Sequence, residues 1–143
     1  MLIDPANPVA ALCAAGMAVD GDASAASALF RRAWNARRDD LDASIAAHFV
    51  ARHQLSARRR LRWNQIAYKH GKRVPEAKRA ELLPSLCLNL ADSLLENGRV
   101  AQARKVLEEG MSYHMRVADT GYSQFLQMGL NRLHERLTRQ PHM

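Results

Sequence analysis

The chain is short of several things, and each shortage narrows what it can be. Cysteine is scarce, with Cys13 and Cys87 alone among 143 residues, both inside apolar helical patterns. A free thiol in that setting behaves as a small hydrophobe. Two such residues, far apart in sequence, make neither a CxxC pair nor the disulfide framework of a small secreted domain. No stretch approaches the roughly 18 uncharged apolar residues read as a spanning helix, so no membrane partner is expected. The start, MLIDPANPVAALCAAG, has an apolar middle, but Asp4 stands where a secretory signal carries positive charge and no clean cleavage site follows. A cytoplasmic location is expected. Catalytic signatures are missing too: there is no glycine-rich phosphate loop and no nucleophile elbow. Of the six histidines, His48, His53, His70, His114, His134 and His142, no two stand four apart with a glutamate beside them, as a zinc peptidase requires. The expectation is a protein that is not an enzyme, with no cofactor and no metal.

What is present suits a soluble globular chain, with hydrophobic residues at 48% and charged residues at 24%. A chain of this length fits one domain, residues 1–143, and can bury about two-thirds of the surface its unfolded form exposes. Apolar residues recur at three and four rather than two, which reads as helix almost throughout and gives no convincing strand. Pro8 opens a first helix to about Val19, and a second runs from Ala23 to Arg37. The pair Asp39 and Asp40 leads into a third, Leu41 to Gln54, and Ser56 caps a fourth reaching His70. Gly71 to Pro75 breaks the pattern. A short piece, Glu76 to Leu82, precedes Pro84, which suits the first turn of a fifth helix ending near Glu96. Asn97 and Gly98 close it, a sixth spans Arg99 to Val117, and Thr120 caps a last helix to about Arg139. Turns of two or three residues force neighbouring helices antiparallel, so the unit is a helical hairpin.

Small residues recur within these hairpins at fixed places. Ala10, Cys13, Ala14 and Met17, then Gly21, then Ala26, Phe30 and Ala33 follow one spacing. Cys87, Leu90, Ala91, Leu94, Gly98, Ala103, Leu107 and Gly110 repeat it. Ala14 and Ala91 are expected where paired helices touch, and Ala26, Ala33, Ala103 and Gly110 where the second helix comes close. This spacing resembles the signature of the tetratricopeptide repeat, whose period is near 34 residues. The two matches lie 77 residues apart, two periods plus nine, so a third hairpin and an insertion belong between them. The resemblance implies an all-α superhelix of about three hairpins, near residues 8–37, 41–70 and 84–117. An insertion lies near 71–83, and a capping helix near 120–139. The segments AAHFVARHQ and LRWNQ in the middle hairpin are similar to a central motif of bacterial tetratricopeptide-like proteins of unassigned function.

The same resemblance names an inner, concave face. From the middle hairpin it takes Asp42, Ile45, Phe49, Arg52 and His53, and from the third Ser85, Leu88, Asn89 and Asp92. Such a face suits a peptide or partner helix laid in a groove. The alternative is that the insertion or the last helix fills it and buries Phe49 and Leu88 as core. The carboxylate clamp by which some members hold chaperone tails is not matched, since only Asn89 fits its positions. In the middle hairpin His48, Arg60 and Asn64 occupy places the family keeps small or apolar. They read either as a polar pocket for a small ligand or as an internal hydrogen-bond network.

Charge is the last feature. The net charge of +7 and pI near 10.1 favour anionic partners, and basic residues crowd Arg58, Arg59, Arg60, Arg62, Lys69, Lys72 and Arg73. Arg58, Arg59 and Arg62 share one helix face beside Trp63. That face is either a phosphate-binding patch for nucleic acid or a solvated outer surface. The expected function is thus a protein-interaction scaffold with a peptide or helix in its groove. Nucleic-acid binding through helix 56–70 and a ligand pocket are the alternatives, and self-association is compatible with each.

Overall fold

A computed structural model describes residues 4–114 and 121–139. Among them the chain forms seven α-helices and no strand: α1 (Pro8–Ala18), α2 (Ala23–Asn35), α3 (Asp40–Ala51), α4 (Ala57–Gly71), α5 (Glu76–Glu96), α6 (Val100–His114) and α7 (Gly121–Thr138). Among the described residues no helix is long and apolar enough to cross a membrane. The starts are capped as their residue types dictate. Asn7 accepts from the amides of Val9 and Ala10 with Pro8 at the first helical position, Asp22 accepts from Ala25, Asp39 from Asp42, and Ser56 from Arg59. At the end of α5, Gly98 has φ +78. The amide of Arg99 donates to the Leu94 carbonyl at 2.8 Å and that of Gly98 to Leu95 at 3.0 Å, the left-handed closure that favours glycine. The expected helix-capping Thr120, and the end of the sixth helix at Val117, lie outside the described residues.

The chain divides into two compact units, Leu2–Val74 and Pro75–Met143. In the first, α1 pairs with α2 and α3 with α4, while α3 also packs on α1 and α2. Its core comprises Val9, Ala10, Cys13, Ala26, Phe30, Ala33, Ile45, Phe49, Leu61 and Ala67. The close approach in the first hairpin is made by Gly16, not Ala14. A Cβ on Gly16 would stand 2.3 Å from the Phe30 ring, so the aromatic ring lies against bare backbone. That rotates α1 so that Ala14 and Met17 face solvent.

In the second unit α5 pairs with α6, and α7 packs on both. Here the expected contacts are made. Cys87, Leu90, Ala91, Leu94, Ala103 and Leu107 are buried, and a Cβ on Gly110 would stand 2.7 Å from that of Cys87. One expectation is corrected: Pro84 does not begin a helix but lies inside α5, which is continuous from Glu76 to Glu96. An interior proline forfeits one backbone hydrogen bond and costs about 3 kcal/mol. Leu82, Leu83 and Leu86 are all buried around it, at about 1.5–3 kcal/mol each, so burial outweighs the local rule. The residues read as an insertion thus supply the break at Gly71–Pro75 and the first turns of α5.

Candidate functional site

The residues expected to line a groove have other work within their units. Asp42 is fully buried. It accepts from the Arg38 guanidinium at 2.9 Å, the Arg38 amide at 3.0 Å and the Asn7 amide group at 2.9 Å. Burial pushes its carboxyl up, but these hydrogen bonds outweigh it and hold the group below the ordinary carboxylate range. Ile45 and Phe49 are interior, and Phe49 stacks on Phe30 with ring centroids 5.4 Å apart. Arg52 and His53, at the end of α3, reach back to Asp20 in the turn after α1. The guanidinium makes two bonds of 2.8 and 2.7 Å, and the His53 ring a third of 2.7 Å. Those bonds hold the Asp20 carboxyl far below its usual range. They join the first hairpin to the second.

In the second unit the last helix covers much of the expected face. Ser85 is buried and donates to the Leu82 carbonyl. Leu88 lies against Gly129 of α7, and Asp92 pairs with Arg136 of α7 at 3.0 Å. Leu88, Asn89 and Asp92 therefore line only a shallow cavity of about 220 Å³ with α7. Leu88 is half-buried there rather than core.

Of the polar trio, Arg60 donates to the Gln54 carbonyl at 2.8 Å, in the turn between α3 and α4. Asn64 is buried. His48 is half-buried with its ring edge on Phe49 at 4.9 Å. Burial, aided by the positive charge of Arg52, lowers the His48 ring to about 4.

The basic face is where the structure adds most. Arg58, Arg59 and Arg62 are exposed on α4. Beside them Trp63 meets Trp34 of α2 edge-on, with ring centroids 5.2 Å apart, so the two indoles fasten α4 to α2. Arg31 of α2 lies over the Trp63 ring at 5.3 Å, and Arg37 over Trp34 at 3.9 Å, both at cation–π range. Trp34, Arg31 and Arg37 were not foreseen as site residues, because Trp34 and Trp63 stand 29 positions apart and only the pairing of hairpins joins them.

The electrostatic balance of this unit is one-sided. Between residues 4 and 74 there are twelve Lys or Arg and six Asp. Every one of the six carboxylates is engaged. Asp4 accepts from the Ala6 amide, Asp22 and Asp39 cap helices, Asp20 holds Arg52 and His53, Asp40 meets His70 at 2.8 Å, and Asp42 holds Arg38. No carboxylate among the described residues pairs with Arg31, Arg58, Arg59 or Arg62. No family model, curated protein or solved structure matches this chain.

Proposed function

We propose that this protein is a non-catalytic binding module of the tetratricopeptide kind, and that its ligand is nucleic acid held on the α2–α4 face of the first unit. One observation carries the reading: the unit's six carboxylates are all consumed by caps and internal pairs, while Arg31, Arg58, Arg59 and Arg62 face outward without one. Uncompensated arginines concentrate positive field at one place, and guanidinium groups match phosphate oxygens two at a time. The face favours nucleic acid over a lipid surface because the apolar side of α4, with Leu61 and Ala67, is turned inward, leaving no apolar stripe to enter a bilayer. The peptide groove has weaker support, since Ile45 and Phe49 are interior and α7 lies over Leu88.

The test is anisotropy of labelled 20-residue oligonucleotides, single-stranded and duplex, at 50 and 200 mM salt, beside vesicles rich in anionic lipid. Four phosphate contacts give an affinity loss of about 50-fold on a single strand and about 150-fold on a duplex over that range. The triple variant R58E/R59E/R62E is expected to abolish binding while keeping its helical circular dichroism. Vesicle binding without oligonucleotide binding, or no binding of either at 50 mM salt, overturns the proposal.

A further inference from the structure

We propose, resting on the nucleic-acid reading above, that the ligand of the α2–α4 face is single-stranded, and that Arg31 and Trp63 form the plate on which an unpaired base stacks. Charge alone would serve any polyanion. This face has more than charge: the exposed guanidinium of Arg31 lies over the Trp63 ring at 5.3 Å, and Arg59 stands one helical turn from Trp63 on the same side of α4. Guanidinium and indole planes both offer a flat π surface, which an unpaired base uses and a paired one cannot, because in a duplex both faces of each base are already stacked.

The phosphates of a flexible strand can follow Arg58 and Arg62, one helical turn apart, while one base turns onto Arg31 and Trp63.

The chain itself carries the probe. Its two tryptophans, Trp34 and Trp63, meet at this site, so all tryptophan emission reports on it. Titration with a 12-residue oligouridylate and with a 12-base-pair duplex at 50 mM salt is expected to quench emission with the single strand alone. The single strand is also expected to bind at least 10-fold tighter. Arg31→Lys keeps the charge but removes the plane; it should cut single-strand affinity about 10-fold and leave both the salt slope and duplex binding unchanged. Trp63→Leu should do the same, and Trp63→Phe, which keeps a ring, should retain the preference and guards against a folding artefact. Equal binding of strand and duplex, or a preference that survives Arg31→Lys and Trp63→Leu together, overturns this inference and leaves a charge-only face with the broader proposal intact. Absence of any binding removes both.

Discussion

His48 sits half-buried in α3 against Phe49, and its ring, lowered to about 4 chiefly by burial, is neutral in the folded protein at neutral pH. In the unfolded chain the same ring takes a proton near its ordinary value of about 6.5. Between these two values the unfolded state binds the extra proton, so stability is complete above about pH 6.5 and is lost as pH falls toward 4. Each unit of pH in that window removes up to about 1.4 kcal/mol, so the limit over the whole window is about 3 kcal/mol. Urea unfolding at a series of pH values is expected to show this loss, and His48→Gln to flatten it. Asp20 and Asp42 act separately: their carboxyls are held below the usual range, so their contribution disappears only at still lower pH. Two neighbours once grouped on one groove should likewise part company. Phe49→Ala removes a buried ring stacked on Phe30 and should cost about 3–5 kcal/mol. Arg52→Ala breaks a partly exposed pair with Asp20, and the unfolding midpoint should move far less.

At the level of helices, close packing depends on two glycines that are buried rather than turning. A Cβ on Gly110 would meet the Cβ of Cys87 at 2.7 Å, an atom tied to the α5 backbone and unable to swing aside. Gly110→Ala must therefore push α6 from α5 and should cost about 1–3 kcal/mol, lowering the melting temperature by about 3–10 °C. Gly16→Ala meets the Phe30 ring instead and should also destabilise, since Phe49 and His53 both stack on that ring. Gly21 has open space around it, so Gly21→Ala should leave the midpoint unchanged. Thermal unfolding of the three variants checks the ordering. These contacts mark how far the fold was legible in the sequence. Ala26, Phe30, Ala33 and the set from Cys87 to Gly110 were readable because helix pairing needs small residues at regular intervals. Ala14 misled because Gly16, two residues later, allows a closer approach. Pro84 misled because a rule about one backbone bond was outweighed by three leucines around it. The groove was not legible from local pattern, because whether Leu88 is open depends on α7, some forty residues away.

For the whole molecule the question is whether the excess charge acts as a total or as a place. Residues 4–74 carry twelve basic and six acidic side chains, while residues 75–143 carry nine and eight. Nearly all of the net positive charge thus belongs to the first unit. The basic face itself was legible in the sequence, because Arg58, Arg59 and Arg62 share a helix side. The Trp34–Trp63 contact was not, since it needs α2 brought to α4. If binding followed total charge, any three reversals would be equivalent. If it follows the local field, position decides, because exposed charges more than about 8–10 Å from the ligand are screened at physiological salt. Arg99, Lys105 and Arg132 are exposed in the second unit, and R99E/K105E/R132E changes the net charge by the same amount as R58E/R59E/R62E. At 150 mM salt the second-unit triple is expected to weaken oligonucleotide binding by no more than about 3-fold and the α4 triple by more than 20-fold. Equal losses in the two would mean that the α2–α4 face has no privileged role and that attraction is a property of the total charge alone.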